Sequence, residues 1–229
     1  MPKAVIFDVD ATLVDTNDFH ASSWVQALGD FGIQAELEDI RSQMGKGGDQ
    51  MLPVFLSSDL LKDKGDEIET HRGEIFKREC LPQVCGFPGV RRLFERIRAA
   101  GQTIVLASSG KAAEVERYQE IAGITDLVDA VTTKDDAEHS KPCPDIFEAA
   151  LGRIAPITAG EAIVVGDSPF DAEAARKAGL RTVGLLCGGF SETVLREAGC
   201  VEIYRDPEDL LANYEHSPLA GQGVSVGLA

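Results

Sequence analysis

Two aspartates, Asp8 and Asp10, follow directly on the apolar run Ala4–Phe7, and a hydroxyl, Thr12, comes two residues later. Residues i and i+2 of an extended segment share a face, so both carboxyls point the same way where strand gives way to loop. Like charges held together in this manner are separated by a cation or hold a proton. Either state suits chemistry: Asp8 has the reach to attack an electrophile and hold a divalent ion. Asp10 is placed to give a proton to a leaving group and to take one from water. The other reading is a strand end decorated with solvated acids, and the pair alone does not decide between them.

Open parallel sheets bind ligands beyond the carboxyl ends of their strands, so the segments after the other apolar runs carry the rest of any site. Those runs are Thr103–Ala107, 128–132, Ala162–Gly166, 181–186 and 201–204. Ser108, Ser109 and Gly110 follow the first of them. Lys141 stands in the segment His139, Ser140, Lys141, Pro142, and Asp167, Ser168, Pro169, Phe170 and Asp171 follow Gly166. Taken singly, Lys141 reads as a surface lysine, Ser108 as a strand cap and Asp171 as an acid favoured by a helix dipole. Their coincidence at successive strand ends points to function.

Helical patterns over 89–100, Ala112–Ala122, 144–154, 171–178 and 191–197 alternate with the runs from residue 88 onward. Strands apolar on both faces, alternating with helices, predict a parallel sheet covered on two sides. Gly101, Gly123, Gly179 and Gly199 fit the positions just past helix ends. Residues 15–83 break the alternation, with helical patterns over 17–31, 49–56 and 60–80 and no convincing strand. The chain is expected to rejoin the sheet through 82–88, where Pro82, Gly86 and Pro88 interrupt helix. Residues 215–229 have little periodicity and are expected to be loosely held.

The 229 residues, 44% hydrophobic and with a mean hydropathy of −0.06, read as a soluble chain able to bury a real core. No apolar run reaches membrane-span length and no signal-peptide pattern opens the sequence, so a cytoplasmic protein without a membrane partner is expected. The five scattered cysteines read as reduced packing residues. His71, His139 and His216 carry no signal, and Trp24 reads as packing. A net charge of −16 repels polyphosphate and argues against nucleic-acid binding. An anionic substrate would then need positive charge inside the site, from a metal ion, a lysine or backbone amides.

These blocks, in this order, resemble the haloacid dehalogenase-like hydrolase superfamily, in the group similar to phosphoglycolate phosphatase and β-phosphoglucomutase. The resemblance runs to about Asn213. It implies an α/β, Rossmann-like doubly wound parallel sheet with an inserted all-helical cap domain: a catalytic core of 1–14 and 84–229 and a cap of 15–83. By the same resemblance Asp8 is a nucleophile that forms an aspartyl-phosphate and Asp10 its general acid and base. Mg²⁺ is held by the Asp8 carboxylate, the Asp10 backbone carbonyl and Asp167. Ser108 and Ser109 bind phosphate, Lys141 neutralises the transferring group, and Thr12 and Asp171 support them, Asp171 by orienting Lys141 or a water.

The family usually has glycine where this chain has Ala11, a replacement that costs little at negative φ and about a kcal/mol at positive φ. Thr12 and the 166–171 segment resemble the phosphatase form, whereas 15–24, including His20, is similar to the cap entrance of β-phosphoglucomutase. There the histidine contacts the acid/base aspartate. Asp10 speaks against a dehalogenase. The cap loop 43–49 is expected over the site, with Lys46 meeting a second anionic group or serving only in an interhelical turn. The expected activity is Mg²⁺-dependent hydrolysis of a small phosphorylated metabolite, of the phosphoglycolate or sugar phosphate type, by a monomer or homodimer. A phosphosugar mutase and a catalytically silent binding protein on the same fold stay open.

Overall fold

The computed structural model describes residues 1–221. Six strands, β1 (Ala4–Phe7), β2 (Thr103–Ala107), β3 (Ala130–Thr132), β4 (Ala162–Gly166), β5 (Arg181–Leu185) and β6 (Cys200–Tyr204), form one sheet in the order β3-β2-β1-β4-β5-β6. All pairs are parallel. The strand order reverses at β1, which places its end and that of β4 side by side at the switch point where such sheets bind ligands.

Parallel strands need crossover connections, and these put helices on both faces. Val5, Phe7, Ile163 and Val165 look to one face, packed with α5 (Val90–Ala99) and α6 (Ala112–Ala122). Ala4, Ile6, Ala162 and Val164 look to the other, against α7 (Asp145–Arg153) and α8 (Pro169–Lys177). The alternation along each strand thus divides one buried run between two cores, as the doubly wound reading required.

Between β1 and α5 lie only helices: α1 (Asn17–Asp30), α2 (Leu37–Arg41), α3 (Gly48–Phe55) and α4 (Ser58–Ile75), the last continuing into a π-helical turn, Phe76–Cys80. They enclose a separate apolar cluster of Ala21, Trp24, Leu28, Ile40, Met51 and Ile68. The chain leaves and re-enters the sheet domain as a short antiparallel pair, with Asp15 N–H donating to Cys85 O at 2.9 Å and Phe87 N–H to Leu13 O at 3.0 Å.

Three differences from the sequence reading have local causes. β3 begins at Ala130 because Asp129 turns its carboxylate to the Ile104 N–H at 2.8 Å, taking the place of a ladder partner. α2 and α10 (Pro207–Ala212) were not expected; α10 starts on an Asp206 cap with Pro207 at its first turn, a signal the sequence did contain. The segment 215–221 is not loose. Ser217 and Leu219 are fully buried, and Gln102 donates from Nε2 to Leu219 O at 3.0 Å while accepting from Tyr214 Oη at 2.6 Å. Residues 222–229 of that expectation lie outside the described residues. Two further helices, α9 (Glu192–Ala198) and α10, cover the β5–β6 side. Among the described residues no helix is long and apolar enough to cross a membrane.

Candidate active site

Asp8 and Asp167 stand one residue past the ends of β1 and β4, strands that are paired with Phe7 against Val165. Each is almost wholly buried, at 6% and 4% exposure. Asp171 joins them from the first turn of α8. Its Oδ2 accepts from the Ser168 hydroxyl at 2.6 Å, and Ser168 Oγ in turn accepts the Asp171 N–H at 3.2 Å. That turn fits only over glycine, because a Cβ on Gly166 would lie 2.7 Å from the Asp171 side chain.

Lys141 is 1% exposed and donates from Nζ to Asp8 Oδ1 and to Ala107 O at 3.1 Å, while Asp171 Oδ1 stands 2.8 Å away as an ion pair without hydrogen-bond geometry. Burial opposes its charge, but the Asp171 and Asp8 carboxylates outweigh burial and hold it firmly ammonium. With all three carboxyls ionised, one cation would leave an excess of two negative charges in a buried space, and the acids respond by holding protons more tightly. Burial, only partly countered by Lys141, pushes Asp8 up to about 7. Asp167 is raised well above the usual carboxylate range by burial and by the Asp8 charge.

The Thr12 hydroxyl lies 3.1 Å from Asp8 Oδ2 and 2.7 Å from Asp167 Oδ1. It has one proton, so the pair of contacts leaves one carboxylate oxygen to be satisfied by a proton or a cation. Asp8, Asp167 and Asp171 offer oxygens within 4.8 Å of one another. Asp171 is held by its helix cap and by the Lys141 charge, and Asp8 Oδ1 by Lys141, which leaves Asp8 Oδ2 and the Asp167 carboxyl together at the Thr12 hydroxyl. A hard divalent cation matches both the excess charge and the oxygen donors.

Asp10 is held differently. Its Oδ1 faces His20 Nε2 at 2.8 Å and the Thr16 hydroxyl at 3.2 Å, and its Oδ2 lies 3.4 Å from Ser108 Oγ. Burial pushes its carboxyl up, but the His20 and Thr16 bonds win and it lies below the ordinary range. Arg72 Nη1 sits 3.1 Å from His20 Nδ1. A guanidinium can only donate, so Nδ1 accepts and the ring proton is on Nε2, aimed at Asp10. His20 stacks on Phe76 of the π-helical turn, with centroids 4.1 Å apart.

Ala11 adopts φ +56°, the left-handed region where an L-residue other than glycine bears about 1–2 kcal/mol of strain. Its N–H donates to Thr16 Oγ1 at 3.0 Å and its carbonyl accepts from Cys187 Sγ at 3.1 Å, two bonds that hold the turn in place. Of the two outcomes weighed for Ala11, the structure takes the strained one.

A cavity of about 90 Å³ opens onto Asp8, Asp10 and Asp167. Its other wall comes from the helical segment, including His20, Lys46, Glu69 and Arg72. Ser109 lines it, with a buried hydroxyl that has no protein partner, whereas Ser108 lies deeper and accepts the Gly110 N–H at 2.9 Å. Lys46 borders the cavity, but its Nζ is held by Gln43 Oε1 at 2.6 Å and sits 4.6 Å from the centre of the Phe170 ring. Sequence reasoning missed Thr16, Arg72, Glu69, Lys111 and Lys134, all of which line the cavity. Lys111 follows Gly110 directly and was findable by adjacency. Glu69 and Arg72 lie in a charged helix where nothing local separates them from solvated neighbours.

The whole stretch 5–185 matches the family model "Haloacid dehalogenase-like hydrolase". Among curated proteins, the chain is 30% identical over 186 residues to pyrophosphatase PpaX of Bacillus velezensis, covering 80% of this chain and 82% of that one. It is 28% identical over 212 residues to a phosphorylated carbohydrates phosphatase of Thermotoga maritima, covering 91% and 96%. A solved hydrolase from Pseudomonas syringae superposes with a TM-score of 0.87 at 27% identity, over 93% of this chain and 98% of that one.

Proposed function

Because the chain belongs to the haloacid dehalogenase-like hydrolase family, we propose that it is a Mg²⁺-dependent phosphatase that hydrolyses a small phosphate monoester through an aspartyl-phosphate on Asp8. The observation that carries the reading is the meeting of Asp8, Asp10 and Asp167 on one cavity, with Lys141 bonded to Asp8 beneath it. Relatives named as phosphatases support it.

In this reading a carboxylate oxygen of Asp8 forms a bond to phosphorus as the bond to the leaving oxygen breaks, and Asp10 gives that oxygen the proton it took from water in the preceding turnover. His20 and Thr16 hold the Asp10 carboxyl low in the empty site, and the negative charge of a bound phosphate beside it opposes the carboxylate and favours the acid form. Asp10, now a carboxylate, takes a proton from water as the water attacks phosphorus and frees Asp8. His20 holds Asp10 in the orientation that both transfers need, its Nε2–H donated to Oδ1 beside the Thr16 hydroxyl so that Oδ2 is the oxygen left to carry the proton. Lys141 neutralises the nucleophile and the incoming phosphoryl oxygens, while Ser109 offers an unpartnered hydroxyl on the cavity wall. Asp8 and Asp167 side chains and the Asp10 carbonyl would hold Mg²⁺, which supplies charge neutralisation to the phosphoryl group. Residues 15–83 act as the cap: their closure over the cavity keeps bulk water from the reacting centre.

The test is a phosphomonoester panel with Mg²⁺, scored by kcat/KM and by release of inorganic phosphate. Asp8→Asn should abolish turnover with an unchanged circular dichroism spectrum; Mg²⁺-dependent turnover surviving in that variant overturns the assignment. The His20–Asp10 bond at 2.8 Å favours one second reading, a phosphosugar mutase that returns the phosphoryl group to sugar. Isomer formation from a hexose 1-phosphate without phosphate release would select it.

A further inference from the structure

Lys141 does its work from a loop, and three side chains fix the backbone of that loop at residues 139, 140 and 142, on either side of Lys141. Asp145 Oδ2 accepts the His139 N–H at 2.9 Å, and Lys177 Nζ donates to Pro142 O at 2.6 Å. The third is Asp49, whose Oδ2 accepts the Ser140 N–H at 3.1 Å and whose Oδ1 accepts the Ser140 hydroxyl at 2.5 Å. Ser140 Oγ also accepts the Gly47 N–H at 2.9 Å. Asp145 and Lys177 belong to α7 and α8 beside the sheet, whereas Gly47 and Asp49 belong to the cap loop and the first turn of α3. The anchoring of Lys141's loop is therefore complete only while the cap loop is seated.

The fit is close as well as polar. A Cβ on Gly47 would lie 2.6 Å from Ser140 Oγ and 2.7 Å from Ser140 Cβ, although φ at Gly47 is −79°, a value any residue adopts. Glycine at this position serves the approach of the two segments and not an unusual backbone. Gly45, two residues earlier, combines φ +99° with a Cβ position 2.5 Å from Ser168 Oγ, so the same loop also seats on the turn that presents Asp167 and Asp171.

We propose that Gly47 and Asp49 form a clasp on Ser140 through which cap seating sets the position of Lys141, so that phosphoryl transfer proceeds only with the cap closed. Asp49 is then a positioning residue that acts through Ser140 and touches no reacting atom. The inference rests on the phosphatase reading and on residues 15–83 acting as a cap. A carboxylate is required because it accepts two bonds from one residue at once, which a single neutral acceptor matches poorly.

The experiment compares wild type with Asp49→Ala, Asp49→Asn, Gly47→Ala and Ser140→Thr on the best substrate of the panel. Asp49 is exposed, so its replacement leaves folding intact. Asp49→Ala should lower kcat about tenfold with KM changed less than about threefold, the loss expected when a charged hydrogen-bond partner acts in the transition state rather than in binding. Gly47→Ala should give a similar loss without removing any polar group, Asn should fall between, and Ser140→Thr should retain most activity. Amide hydrogen exchange in the 138–143 peptide should quicken in Asp49→Ala, a readout independent of turnover. Unchanged kcat, or a loss confined to KM, overturns the clasp. If wild type releases no phosphate from any substrate, the phosphatase reading fails instead. The exchange comparison then decides alone, unchanged protection in Asp49→Ala overturning the clasp.

Discussion

Lys141 has two hydrogen-bond acceptors, Asp8 and Ala107 O, and a second carboxylate, Asp171, as an ion-pair partner, and that compensation explains why an ammonium survives almost wholly buried. Asp167 lacks such balance: it is a buried acid that shares one threonine proton with Asp8, and Lys141 is bonded to Asp8 and not to it. A neutral amide in its place spares the chain the cost of either burying that charge or taking up a proton, and should relieve the fold. Asp167→Asn, which keeps an acceptor for Thr12, is expected to raise the metal-free unfolding midpoint by about 2–4 °C, the shift that ~1 kcal/mol gives in a chain of this size. If the proposed site takes Mg²⁺, wild type should gain about 2.7 kcal/mol at a hundredfold excess over Kd, and the same substitution should remove that gain. Thermal scans with Mg²⁺ and with a chelator measure both, and a Mg²⁺ shift retained in Asp167→Asn would take this residue out of the metal site.

At the scale of elements, the ends of β1 and β4 are brought together by strand pairing, while the opposite wall comes from helices that pair with no strand. Asn17 of α1 donates to Gly188 O, and a Cβ on Gly188 would press on Asp167 Oδ2, so the start of the helical segment, the turn after β5 and the acid at the tip of β4 are packed as one stack. The chain's last described turns act as a strap: Leu219 and Tyr214 complete the core beside β1 and β2, where Gln102 ties Pro2 O to Leu219 O. Leu219→Ala is expected to cost about 2–4 kcal/mol in urea unfolding, the range for a fully buried leucine. A loss under about 0.5 kcal/mol would show that the strap is dispensable.

For the whole molecule, a net charge of −16 acts as self-repulsion that folding must overcome. Many of its ion pairs lie on the surface, where each contributes little. Screening should relieve the repulsion more than it weakens those pairs. The unfolding midpoint at neutral pH is expected to rise by about 2–4 °C between low and ~0.3 M NaCl, and a fall would mean that the surface pairs dominate. The sheet, its order of elements and the acids at its strand tips were legible in sequence because burial on both faces and the crossover rule leave their marks on consecutive residues. So were the glycines past the helices and the lysine in its loop. Three things were decided only by tertiary structure. The left-handed turn at Ala11 has no marker in an alanine, and Arg72 became the neighbour of His20 by packing between separate helices. Asp49 met Ser140 across ninety-one residues. Periodicity records which face of an element is buried, whereas the partner across a gap depends on how two elements are docked, and no local stretch of chain encodes that.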